Sequence, residues 1–207
     1  MAIKLSLQHT ERILFCGSKW WGDPDMPENM EYPSIEVTED GETYDYPLTF
    51  VCQINCEDIA AFDPDGMLPH EGMLYFFAAI DKWIGYDSPT ENGNGEWPKK
   101  HFVVKYAKTV NFETFQSRIL VDDEGESLTE REMEIVFSEC PDEEKCLRLL
   151  GRPSSPEVRQ KYPDLISLLE IVRSENLDVE FDGSLSLLIK PSDLHYGNWK
   201  KTTAYLE

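Results

Sequence analysis

Two apolar runs constrain the fold of this chain more than any other feature of it. Residues 48–54 are apolar except for Thr49 and Gln53, and residues 73–80 are apolar throughout, opened by Gly72. Runs of this length, bounded by turn residues, read as buried strands. The surrounding texture agrees. Residues 3–7 and 12–16 alternate loosely, 102–106 and 115–121 read as further strands, and 132–137 sets Met133, Ile135 and Phe137 at period two. Between Asp23 and Asp45 there are nine acids and no base, so 17–47 is expected to be a long surface loop with a hairpin at Asp40-Gly41. Asp63-Pro64-Asp65-Gly66 and Asn92-Gly93-Asn94-Gly95 are turn chemistry. One short helix is expected over 142–150, from acids in its first turn, Leu147 and Leu150 on one side, and Gly151 as its stop.

Charge narrows the class. Forty Asp and Glu stand against nineteen Lys and Arg in 207 residues, a formal net charge of −21. A surface of that sign repels phosphate backbones, which excludes nucleic-acid binding by a basic face. With 41% hydrophobic and 12% aromatic residues, the chain has the means to build a core. No run is long enough for a membrane span, and residues 1–12 hold no apolar core of signal-peptide type, so a cytoplasmic location is expected. Five cysteines, an odd number with no Cys-x-x-Cys pair, point to free thiols, with Cys52 a small buried hydrophobe.

The order of turn markers suggests a duplication. Gly22-Asp23-Pro24 is followed by Tyr32-Pro33, then by 51–54, Gly72 and 73–77. Gly151-Arg152-Pro153 is followed by Tyr162-Pro163, then by 168–171, Gly183 and 185–189. These readings predict one α+β domain over 1–207, mostly antiparallel sheets with few short helices. Units at about 17–80 and 147–207 would be related by a pseudo-twofold, with strands added over 81–146.

The same residues carry a family resemblance. Ser18-Lys19-Trp20-Trp21-Gly22-Asp23-Pro24-Asp25-Met26-Pro27, Pro47 to Asn55, Gly72-Met73-Leu74-Tyr75-Phe76-Phe77, Leu149-Leu150-Gly151-Arg152-Pro153 and 185–194 resemble motifs of the YwqG-like family, a bacterial family of unknown function. Glu170 stands where that family usually has Gln, and Glu180-Phe181-Asp182 where it often has Trp-Gly-Asp. The resemblance implies a mixed, mostly antiparallel α+β fold and no settled activity.

Tests for chemistry return little. His9, His70, His101 and His195 sit in no recognisable motif, and there is no nucleophile elbow. There is no His-Glu-x-x-His, no Cys/His cluster, and Asp63-Pro64-Asp65-Gly66 lacks the glutamate of a calcium loop, Leu74 standing there. No catalytic residue, metal or cofactor is therefore assigned. Gln53 and Glu170 are single large polar residues in buried strands and are expected to bond loop backbone. From Asp122 to Glu144 there are eleven acids and one base, Arg131. Asp122, Asp123, Glu124, Glu126, Asp142, Glu143 and Glu144 are expected to form a landing surface for a basic partner, with Trp20 or Trp21 as anchor. The expected function is a protein-binding module, in its sharpest form an immunity protein for a basic, nuclease-like toxin. The alternative is an enzyme or small-molecule binder with Gln53, Asn55 and Asp182 lining a cleft between the two units.

Overall fold

A computed structural model describes residues 2–39, 41–80, 94–122, 124–142, 144–173, 181 and 183–207. Asp40, Asn92, Gly93, Asp123, Glu143, Glu180 and Asp182, named above, lie outside the described residues. In chain order the strands are β1 (Ala2–Gln8), β2 (Lys19–Trp20), β3 (Asp25–Pro27), β4 (Ser34–Glu39), β5 (Glu42–Pro47), β6 (Thr49–Asn55), β7 (Met73–Ala78), β8 (Gly95–Glu96), β9 (Phe102–Ala107), β10 (Phe115–Ser117), β11 (Met133–Cys140), β12 (Arg148–Leu149), β13 (Ile166–Val172), β14 (Ser184–Ile189) and β15 (Thr203–Leu206). Eleven of them form one sheet in the order β8-β15-β14-β13-β12-β1-β11-β2-β6-β7-β9, with every neighbouring pair antiparallel. β10 pairs with β3, and β4 with β5, in two small ladders.

The fold is therefore mainly β, with about 42% of the described residues in strands and 13% in helices, and the α+β expectation is corrected. The α-helices are single turns: α1 (Cys56–Ile59), α2 (Pro156–Lys161) and α3 (Pro191–His195). The duplication of two units sharing a core is corrected with it. Strands β1 and β11 form the middle of the sheet, yet β1 precedes the first expected unit and β11 falls in the segment expected as an addition. One continuous sheet replaces two related halves. The markers that suggested a repeat are Gly and Pro, which recur wherever strand turns into strand.

Two further expectations change. The acidic loop 17–47 contains β2 to β5, and Asp25 within it is completely buried. The described residues of 142–150 hold no helix; the segment leads into β12, because Arg148 and Leu149 pair with both β1 and β13. The periodicity of two leucines could not outweigh a strand position open on both sides.

The sheet cannot be flat. Ten gaps at roughly 4.8 Å would make it about 48 Å wide. Yet its outermost strands, β8 and β9, are joined by residues 97–101 alone. Six Cα steps span at most roughly 22 Å, so the two edges are pulled toward each other and the sheet curls into a half-barrel. The inner face carries the main core, including Ile3, Trp20, Phe76, Leu169 and Leu187. On the outer face, Met26, Ile35 and Phe115 cover Met73, Tyr75 and Phe77, while Val158 covers Leu188 and Tyr205. A strand covered on both faces needs apolar side chains at every position, which is why 73–78 does not alternate.

Candidate functional site

The residues singled out from sequence go to different places. Trp20 and Trp21 are buried in the main core, packed edge to face at 5.5 Å, so neither offers a surface anchor. Asn55 caps α1: its side chain accepts from Glu57 N–H at 3.1 Å and its amide donates to the Cys16 carbonyl at 3.2 Å. Asp122, Glu124 and Glu126 are exposed on a tight turn in which Asp122 Oδ1 accepts from the N–H groups of both Glu124 and Glu126 at 2.9 Å. Asp142 and Glu144 lie beyond the other end of β11, where Glu144 pairs with Lys4 at 2.8 Å. Eight residues of strand, roughly 24 Å, separate the two ends. Among the described residues, no group of three or more His, Cys, Asp and Glu could hold a metal ion.

The two buried polar residues of the strands belong to ion networks. Gln53 donates to the Gly17 carbonyl and to Asp25 Oδ2, and accepts from Asp25 N–H, each at 2.8 Å. Asp25 Oδ2 also meets Lys19 Nζ at 2.9 Å, and Oδ1 accepts from Ser117 Oγ at 2.6 Å. Glu170 receives Arg148 Nε at 3.1 Å and Nη2 at 2.8 Å, together with Ser154 N–H and its hydroxyl. The Arg148 guanidinium also donates to the carbonyls of Pro141, Asp142 and Arg152. Each cation lies in register across the ladder from its polar partner: Lys19 opposite Gln53, Arg148 opposite Glu170. Every charge is compensated and all four of these residues are buried, so they lock loops to the sheet and leave nothing for a substrate.

An accessible concavity lies instead where the sheet fails to close. A groove of about 560 Å³ runs between β9 and the segment 197–201, lined by Met30, Val104, Lys105, Tyr106, Trp199 and Lys200 among others. A smaller cavity of about 240 Å³ adjoins it, sharing Val104, Trp199 and Lys200 and adding Lys99 and Phe102. The seam is held by local contacts. Trp97 N–H donates to the Ala204 carbonyl at 2.9 Å, Lys99 Nζ to the Thr202 carbonyl at 3.3 Å, and the Tyr106 and Trp199 rings lie 5.8 Å apart. Tyr106 is anchored by its hydroxyl on the Glu71 carbonyl at 2.9 Å.

The charge of this groove inverts that of the protein. Lys99, Lys105, Lys200 and Lys201 line the two cavities, and among the described residues no Asp or Glu does. In a chain with forty acids and nineteen bases, chance would put more acids than lysines there. Among the described residues none of these four lysines is within 4.0 Å of a carboxylate oxygen. Partial burial pushes the Lys105 pKa down, with Glu31 opposing the shift, and Lys105 Nζ donates to the Glu31 carbonyl. The groove thus sets a cationic rim over an apolar floor of Tyr106, Trp199, Val104 and Met30, the chemistry that suits an anionic group with apolar surface beside it.

A family model described as a domain of unknown function, DUF1963, matches residues 18–207. The chain belongs to this family. The YwqG-like resemblance is compatible with that assignment, which shows a family of unknown function and no more. The matched span of DUF1963 runs from β2 to β15 and takes in both walls of the groove; β1 lies outside it. No curated protein matches the chain. No helix among the described residues is long and apolar enough to cross a membrane.

Sequence reasoning passed over the groove. A signal was present: Lys99-Lys100 and Lys200-Lys201 are lysine pairs in a base-poor chain, and Trp199 adjoins the second. They are a hundred residues apart, and only the curling of the sheet brings the two segments together.

Proposed function

We propose that this member of the DUF1963 family is a binding module that captures a ligand bearing both a carboxylate-like anion and an apolar part in the seam groove. The observation that supports it is the lining of that groove, four lysines and no acid among the described residues, in a protein of net charge −21. Cations with no carboxylate partner, gathered over an apolar floor, attract an external anion and let it bury apolar surface beside them. Titration with naphthalene dicarboxylate and with naphthylmethylamine tests it. The dicarboxylate is expected to bind, more weakly as salt rises, and the amine is not. Lys200→Gln with Lys201→Gln should weaken the anion by roughly tenfold with no change in unfolding temperature, because both lysines are exposed. Equal binding of amine and dicarboxylate contradicts the reading.

A second reading keeps the capture of a basic protein, in its narrowest form a toxin-immunity role. It is supported by the turn at 122–126, where the exposed Asp122, Glu124 and Glu126 stand beside Ile119 and Val121, which are 65% and 51% exposed. Acid flanking exposed apolar side chains is the composition of a surface that steers a cation and then buries contact area. Charge-to-amide changes at these three positions are expected to slow association with a captured basic partner and to flatten its salt dependence, leaving dissociation nearly unchanged. Association rates identical to those of the parent chain would remove this reading.

A further inference from the structure

We infer that the natural occupant of the groove is an extended acidic segment of a partner protein, added as a further strand to the free edge of β9. The inference rests on the anion-binding reading above and adds to it the part the backbone plays.

Among the described residues β9 is the last strand of the sheet, bonded to β7 on one side only. The Ala79 N–H donates to the His101 carbonyl at 2.8 Å, and these residues continue the register in which Ala78 faces Phe102. In an antiparallel ladder the bonded pairs alternate, so His101, Val103, Lys105 and Ala107 turn their backbone groups toward β7. Phe102, Val104 and Tyr106 turn theirs outward, and among the described residues no backbone hydrogen bond meets these outward groups. Val104 and Tyr106 are both groove-lining residues. The groove therefore offers a second kind of recognition beside its lysines: two N–H donors and two carbonyl acceptors at strand spacing.

A row of unpaired edge groups is a template for another strand. A polypeptide lying about 4.8 Å from β9 would alternate its side chains across the edge. One set would meet Tyr106 and Trp199, whose rings pack against the main core; the other would pass the face from which Lys105 projects. Lys200 and Lys201 close the far wall. The matching chemistry is a segment alternating carboxylate and apolar or aromatic side chains. A basic segment is rejected by the same lysines, and a second copy of this chain would bring its own Lys105 against the first.

The test uses the full chain and the labelled peptide Glu-Val-Glu-Phe-Glu-Val, followed by fluorescence anisotropy. Two further versions carry backbone N-methyl groups, one on the odd residues and one on the even. The parent peptide is expected to bind. One methylated version should lose roughly tenfold or more in affinity, because its methyl groups replace two edge hydrogen bonds, while the other stays close to the parent. The Lys-Val-Lys-Phe-Lys-Val peptide should not bind. If both methylated versions bind like the parent, strand addition is overturned and the anion-binding reading survives. If naphthalene dicarboxylate binds and the peptide does not, the occupant is a small molecule and the inference is overturned. If neither anion binds, the groove reading itself falls. A dimer lost on Lys105→Glu would place a second copy on the edge and overturn the inference.

Discussion

Replacing Glu170 by leucine is expected to remove about 3–5 kcal/mol of folding stability in equilibrium urea unfolding. Arg148 and Glu170 are both fully buried, paired at 2.8 Å between adjacent strands near the middle of the sheet. Without the carboxylate, the guanidinium is left as an uncompensated buried charge with no water to turn to. It is further bound to the carbonyls of Pro141, Asp142 and Arg152, so a shift to find solvent disturbs the loop that precedes β12 and the turn that follows it. The double change Arg148→Met with Glu170→Leu should cost far less than the sum of the two single changes, since the pair and its desolvation are removed together. The loss at Glu170 should be nearly independent of salt, unlike any effect at the exposed groove lysines. Additive single and double mutants would show that the pair is not a coupled unit.

Gly72→Ala is the second large effect expected, about 3 kcal/mol or more, with the groove lost alongside stability. Gly72 opens β7 with φ of +83°, and a Cβ there would lie 2.1 Å from the Ala107 carbonyl oxygen and 2.8 Å from the Lys108 carbonyl. Those atoms are backbone at the end of β9, so relief requires β9 to move away from β7. Because β9 is one wall of the groove, anion binding should weaken in the fraction that still folds. Gly66→Ala is the control. Its φ of +60° is also left-handed, but nothing lies within 4 Å of the added carbon, so only the conformational cost of about 1–2 kcal/mol is expected. Equal losses at the two glycines would show that conformation, not the approach of β9, sets the requirement at position 72.

The strands were legible where their residues left no alternative. Residues 48–54 and 73–80 announced β6 and β7 because a run with hardly a polar side chain has to be covered on both faces, and Met133, Ile135 and Phe137 announced β11 by alternation. Helix and strand were confused at 142–150, where local cues favoured a turn of helix and pairing with two distant strands overrode them. Trp20 and Trp21 lie beside acids in sequence, and nothing in that neighbourhood distinguishes an exposed tryptophan from one buried in the main core. The buried partners of Gln53 and Glu170 were legible as a need for hydrogen bonds. Their cations were not, because the register that sets Lys19 opposite Gln53 and Arg148 opposite Glu170 comes from strand pairing between distant segments of the chain.

By itself, then, the sequence determined which segments are strands buried on both faces, that their isolated polar residues must be satisfied internally, and that the outside of the molecule is acidic. These properties depend on the composition of short windows, and burial acts on each window separately. Only the tertiary structure decided that the strands form one curled sheet, and that its unclosed seam gathers Lys99, Lys105, Lys200 and Lys201 over Tyr106 and Trp199. That arrangement depends on the five-residue tie between the two edge strands, which forces residues a hundred positions apart to face each other and which no window of the sequence contains.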